Sequence, residues 1–186
     1  MYRGVNPTAL QSQQWLSESL MELMKEKPFA RITVQDICRQ ADLSRQTFYN
    51  FFASKEEILH FYLQQKYEEQ FQKYCEKQTI TMEEIIEAFS CVMVENKDVI
   101  AAMLENNLEG VLSEEMSNCI ALFAGRFVSP EKDNELLPYS EVLLSGAFAA
   151  LLIYWFKQEK PISIRELAGL LQDFFAGHLY EVRTPA

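Results

Sequence analysis

The chain has 186 residues, of which 48% are apolar, with six glycines, six prolines and a net charge of −10. That length can bury a sizeable core, as one domain or as two small ones sharing a long helix, and the composition favours a helical globular protein over a disordered one. The charge is uneven: residues 1–60 carry seven Lys/Arg against seven Asp/Glu, and residues 61–186 carry ten against twenty, so all the excess acid lies beyond residue 60.

Met1 to Val5 reads as a short tail with the single basic residue Arg3. Asn6-Pro7 reads as an N-cap and first-turn proline. The helix they open is predicted to run to about Glu26, with Leu16, Leu20, Leu23 and Met24 on one face, and Pro28-Phe29 ends it. Thr33 is a good N-cap with Asp36 three positions on, where a carboxylate favours a helix start. Val34, Ile37, Cys38 and Ala41 then recur at helical spacing. Asp42 breaks the pattern; Asp tolerates the left-handed conformation that sharp turns use. Ser44 caps a second short helix, Arg45 to Phe52, with Leu43 and Phe48 facing inward. Ser54-Lys55-Glu56-Glu57 reads as a capping box for a longer helix reaching about Glu76, polar and solvated on one face from Gln64 to Lys77. Helix, three-residue turn, helix is the geometry that lays the second helix in the DNA major groove. An acidic body beside such a unit discourages unspecific binding to DNA.

Thr33-Val34, Ile37, Ala41, Leu43-Ser44, Thr47-Phe48-Tyr49, Phe52 and Ser54-Lys55-Glu56-Glu57 resemble the N-terminal signature of the tetracycline-repressor (TetR/AcrR) family of bacterial transcription regulators. The run from Tyr49 to Glu57 is its most specific piece, and the resemblance covers roughly the first third of the chain. Asp42 departs from it, standing where the family usually has Gly, as does Gln46, where a small residue is common. The resemblance implies an all-α protein. A three-helix helix-turn-helix DNA-binding domain, residues 1–53, would be joined to a helical effector-binding and dimerisation domain, residues 54–186. Arg45 and Gln46, in the first turn of the second helix, are expected at base edges, where Arg suits guanine and Gln suits adenine. Thr47, Tyr49 and Asn50 are placed for the groove walls, Tyr49 and Lys55 match positions that usually touch phosphate, and Thr33 and Ser44 complete the DNA-binding set.

Further along, Thr81-Met82-Glu83-Glu84 reads as a capping box for a helix to about Asn96. A shorter helix follows from Asp98 to Glu105, with Asn106-Asn107 and Gly110 as punctuation, and another runs to about Phe127. Ser129 to Asn134 is a surface loop. Pro138 starts the most apolar helix. From Val142 to Phe156 only Ser145 is polar, a run shorter than the about 20 residues that a bilayer requires, so no membrane partner is expected. A helix apolar all round is expected to be buried all round. Ser163-Ile164-Arg165-Glu166 caps the last helix, whose stripe is Leu167, Leu170, Leu171 and Phe174. The helix ending in Tyr154-Trp155-Phe156, the polar Pro161 turn and the Leu-rich helix after it loosely resemble the C-terminal part of a TetR subgroup that includes regulators of dihydroxyacetone-kinase operons.

The family resemblance implies a homodimer whose last two helices pair with their mates. The interface is expected at Val142, Gly146, Ala149, Ala150 and Ile153 on the first, with Leu167, Leu171 and Phe174 on the second. An effector pocket in the body is expected to draw on Phe89, Met93, Met103, Met116, Phe123 and Tyr154. The four cysteines, Cys38, Cys75, Cys91 and Cys119, show no close pairing and no secretory signal opens the chain, so free thiols in a reducing cytoplasm are expected. With only His60 and His178 there is no zinc spacing, and no metal or other cofactor is expected. No Gly-rich phosphate loop or recognisable catalytic triad points to an enzyme. The reading is a homodimeric repressor released from a palindromic double-stranded DNA operator by an unknown small-molecule effector. The alternatives are an activator, or a non-DNA interaction module, controlled by a protein partner.

Overall fold

The structure, a computed structural model, describes residues 7–74, 77, 82–127, 137–159 and 161–175. The helices among them are α1 (Pro7–Glu26), α2 (Val34–Gln40), α3 (Arg45–Phe51), α4 (Lys55–Phe71), α5 (Met82–Glu95), α6 (Lys97–Glu105), α7 (Glu109–Phe127), α8 (Leu137–Phe156) and α9 (Ile164–Phe175). Single 3-10 turns lie at Phe29–Arg31 and Gln72–Tyr74, and no strand occurs among the described residues. The all-α class follows from the absence of strand periodicity and from the regular spacing of caps and apolar stripes.

Helices α1, α2 and α3 form a small unit around Leu16, Leu20, Ile32, Ile37, Phe48 and Phe52, all at most 2% exposed. Helix α4 closes this unit through Ile58, Leu59 and Phe61, with the Phe52 and Phe61 rings edge to face at 5.7 Å. The same helix continues into the body, where Tyr67 and Phe71 meet Phe89 of α5 at 5.7 and 5.5 Å, and Phe89 meets Phe148 of α8 at 5.2 Å. One apolar core therefore runs through both halves, and α4 belongs to each.

Two helix ends share a stop signal. Among the described residues, Asp42 and Asn107 are the non-glycine residues with positive φ, 53° and 59°. After α2, Leu43 N–H bonds the Cys38 carbonyl at 2.9 Å and Asp42 N–H the Arg39 carbonyl at 3.4 Å. After α6, Leu108 N–H bonds Met103 at 2.9 Å and Asn107 N–H bonds Leu104 at 3.1 Å. These are paired six-to-one and five-to-two closures around a left-handed residue, which satisfy the last carbonyls of a helix.

The structure differs from the sequence expectations in several places. Helix α4 stops at Phe71 rather than near Glu76, and its face beyond Gln64 is not wholly solvated: Gln70 is buried and donates to Glu95 at 2.7 Å. The Ser54 side chain makes no cap bond; Glu57 instead accepts the Ala53 N–H at 2.8 Å. Gly110 does not punctuate but lies in the first turn of α7, because the stop is supplied by Asn107. Helix α8 is not buried all round. It packs mainly on α7 through one side, and Tyr139, Val142, Leu143 and Tyr154 face outward. The Ser163–Glu166 box is present, with Ser163 N–H to Glu166 at 2.8 Å. Asn6, Cys75, Thr81 and the loop at 129–134 lie outside the described residues.

Candidate nucleic-acid interface

The geometry of α3 starts at its caps. Thr33 accepts the Asp36 N–H at 3.1 Å, and the Asp36 carboxylate takes the Thr33 N–H and hydroxyl at 3.0 and 2.8 Å. Lys27 and Arg39 add ion pairs of 2.9 and 3.0 Å to the same carboxylate. The Lys27 bond first, and then those from Thr33, hold the Asp36 carboxyl well below the usual carboxylate range. This knot fixes the start of α2 to the end of α1. The left-handed turn at Asp42 then delivers Ser44, whose hydroxyl accepts the Thr47 N–H at 3.0 Å and lies 2.8 Å from the Thr47 hydroxyl.

With its start fixed, α3 divides sharply. Phe48 points in and is fully buried, whereas Arg45, Gln46, Tyr49 and Asn50 point out. Arg45 has no ion pair or hydrogen bond among the described residues, which leaves its five donors unused. Gln46 donates to Asn50 at 3.2 Å, one turn on, so the two amides form a joint polar edge. Tyr49 is 51% exposed, its ring edge to face with Phe48 at 5.2 Å, which leaves its hydroxyl at the surface. The outward face thus offers a guanidinium, two amides and a phenol. These are the groups that read base edges and phosphates in a major groove.

Thr33, Ser44 and Thr47 are engaged in the cap bonds that start α2 and α3. Lys55 is placed differently from the sequence expectation. Its ammonium turns inward, donating to the Phe29 carbonyl at 2.6 Å and the Ile32 carbonyl at 2.9 Å, with the Phe29 ring centroid 4.2 Å away. Burial lowers its pKa. An ammonium has three donors, and these two bonds use two of them. No local pattern in the sequence predicts the inward turn, because its acceptors lie more than twenty residues upstream.

The other site expectations fall in the body. Phe89, Met93, Met103 and Met116 belong to the buried core and are at most 5% exposed, while Tyr154 is exposed on α8. The Phe123 side chain lies outside the described ones. Two surface clefts are lined by other residues. One of about 330 Å³ lies between α5 and α9 at Ile86, Cys91, Val94 and Arg165; one of about 500 Å³ lies at Trp15, Glu18, Glu22 and Asp42. Sequence reasoning singled out neither, since a cleft is set by the angle between helices and leaves no signal in either one. Among the expected interface residues, Val142, Gly146, Ala150 and Phe174 are exposed and Ile153 is partly so, whereas Ala149, Leu167 and Leu171 are buried in their own chain. Among the described residues no cluster could hold a metal ion, and no helix is long and apolar enough to cross a membrane.

A short helix, a left-handed three-residue turn and a capped second helix with a polar outer face define a helix-turn-helix unit of the kind found in transcription regulators. A family profile described as bacterial regulatory proteins, tetR family, matches residues 18–60, a stretch that takes in α2, α3 and the turn between them. The chain is similar to the HTH-type dhaKLM operon transcriptional activator DhaS of Lactococcus lactis subsp. lactis, 38% identical over 48 residues. That match spans 26% of this chain and 26% of the relative's length. Over nearly the whole chain the fold is similar to that of Lin0861 from Listeria innocua, with a TM-score of 0.76, 16% identity, and 95% and 96% of the two chains covered. It is also similar to a structure of the dihydroxyacetone kinase operon activator DhaS, with a TM-score of 0.61, 18% identity, and 90% and 96% covered.

Proposed function

We propose that the chain is a homodimeric, sequence-specific DNA-binding regulator of the cytoplasm, without enzymatic activity, whose DNA affinity is set by a small-molecule effector. The observation that carries this is the outer face of α3. Arg45, Gln46, Tyr49 and Asn50 are presented by a helix whose opposite side is anchored by the fully buried Phe48. In this reading residues 1–53 form the reading head and residues 54–186 the effector and dimerisation part. Arg45 and Gln46 meet base edges, Tyr49 and Asn50 line the groove, and the spare Lys55 donor meets phosphate.

The outward stripe of α8 supports the dimer: Val142 and Leu143 are 72% and 76% exposed, and a Cβ added at Gly146 would touch nothing within 4 Å in its own chain. A helical glycine costs about 1 kcal/mol relative to Ala, so its use here fits a second helix approaching closely. A two-fold axis would then present two heads to a palindromic operator. The effector would enter the core at Phe89, Met93, Met103 and Met116, where flexible thioethers can repack around a ligand.

Gel retardation with the DNA upstream of the protein's own operon tests the reading. A retarded band that weakens with salt is expected, and absence of any band at micromolar protein would overturn it in favour of a protein-interaction module. Repression is the sign implied by family resemblance. Activation is the second reading, favoured by the similarity in sequence and in fold to DhaS, named as an operon activator. A promoter–reporter fusion with and without the regulator decides the sign.

A further inference from the structure

One cleft in the head has no role in presenting α3. It measures about 500 Å³ and lies between α1 and the end of α2, lined by Trp15, Glu18, Ser19 and Glu22 on α1 and by Asp42 in the turn. The α1 residues fall at i, i+3, i+4 and i+7, which puts them on one helix face. Three of the lining residues are carboxylates, and none is Lys or Arg. Lys25 neutralises Glu22 at 2.6 Å. Glu18 and Asp42 have no ion pair among the described residues.

Two further side chains of the cleft are left without partners. Trp15 is 46% exposed, and its indole has no hydrogen bond, ring contact or cation contact among the described residues. Ser19 is 7% exposed, and its hydroxyl has no hydrogen bond among the described residues. Other helical serines of the fold close their hydroxyls onto their own backbone, as Ser12 does to Thr8 at 3.0 Å and Ser117 to Ser113 at 2.9 Å. An unpaired hydroxyl this far buried is costly unless a group entering the cleft bonds to it.

We propose that this cleft is a binding site for a small alkylguanidinium cation, separate from the body core. The face of an indole attracts a cation, Glu18 and Asp42 supply the counter-charge, and the Ser19 hydroxyl accepts an N–H. A guanidinium suits the site because it is planar, stacks on an aromatic face, forks onto carboxylates and is weakly hydrated. The volume falls among those of small-molecule sites, about 300–1,000 Å³. The site does not depend on DNA binding.

The full-length chain has two tryptophans, Trp15 and Trp155, so its 15N-labelled form gives two indole N–H resonances, assigned through Trp15→Phe. Trp155 donates to the Ile162 carbonyl at 2.6 Å and is not part of the cleft, which makes it an internal control. Titration with butylguanidinium should shift the Trp15 resonance saturably and leave that of Trp155 in place. Butylurea, similar in shape but uncharged, and sodium chloride at matched ionic strength should shift neither. With Glu18→Gln and Asp42→Asn combined, affinity should fall about tenfold, as two exposed ion pairs allow; Asn keeps the left-handed turn. Ser19→Ala should weaken binding about fivefold without lowering the melting temperature, since the hydroxyl has no partner to lose. An equal shift with butylurea, a shift that does not saturate, or unchanged affinity in the double variant overturns the proposal. So does a Ser19→Ala protein that melts lower and binds as well as the wild type.

Discussion

Helices α3 and α8 both turn a face to the surface, and the two faces differ in kind. That of α3 is polar and set on a short helix whose inner side is a single buried aromatic; that of α8 is a long apolar stripe, Tyr139, Val142, Leu143, Gly146, Ala150 and Tyr154. A polar face in a part of the chain with balanced charge is stable in water alone and can exchange water for base edges. An apolar stripe gains by leaving water altogether. The two faces thus suit different partners: α3 one that comes and goes, α8 one that stays.

The largest effect should come from the anchor of the polar face. Phe48→Ala removes a fully buried ring and is expected to cost about 3–5 kcal/mol, seen as a lower melting temperature and complete loss of operator retardation. If Phe48→Ala melts like wild type, α3 is not anchored as described. On the other helix, Leu143→Glu should leave the fold of the single chain intact by circular dichroism. It should weaken self-association on the order of a hundredfold, since a two-fold interface meets the change twice. Sedimentation equilibrium that shows no change would remove α8 from any interface.

Gln46→Ala comes next, with an expected loss of about 1–3 kcal/mol at one base pair and an unchanged salt slope. Operator variants titrated across salt would read both. Asp36→Asn then tests the frame that holds α3. The folded-state carboxyl is depressed, so its contribution to stability is present above the unfolded pKa, about 3.9, and is lost as pH falls through the lower folded value. Acid unfolding of the wild type should therefore contain a component below about pH 4 that Asp36→Asn lacks. The smallest effect is expected from Asp42→Gly. Glycine relieves the left-handed strain but adds freedom to the unfolded chain, and the two should cancel to within about 1 kcal/mol in denaturant titrations.

The contrast also explains what could be read in advance. Helices α2 and α3 depend on bonds spanning three to five residues, Thr33 with Asp36, Ser44 with Thr47, Leu43 with Cys38, so their start, stop and inward residue were visible in the sequence. Helix α8 is apolar on every side, so the side that packs on α7 depends on partners elsewhere in the chain. Its expected interface accordingly included Ala149, which the fold buries. The same holds for Leu167 and Leu171 on α9, which pack inside their own chain, and for Lys55, whose carbonyl acceptors are distant in sequence. Met93, Met103 and Met116 were visible as an apolar group, but whether such a group lines a space or fills one depends on how closely α5, α6 and α7 approach.

The thiols offer a built-in clock for these halves. Cys38 is buried in the head with its sulfur 3.7 Å from the Ser44 carbonyl, and Cys119 is buried in the body, while Cys91 is partly exposed in the α5–α9 cleft. Burial pushes the Cys38 and Cys119 thiols above their ordinary value, so neither reacts until its surroundings open. With an alkylating reagent and peptide mapping, Cys91 should label in the native state. The rates at Cys38 and Cys119 would then give separate opening frequencies for head and body. A regulator whose halves open independently would show two unrelated rates; one that opens as a unit would show the same rate twice.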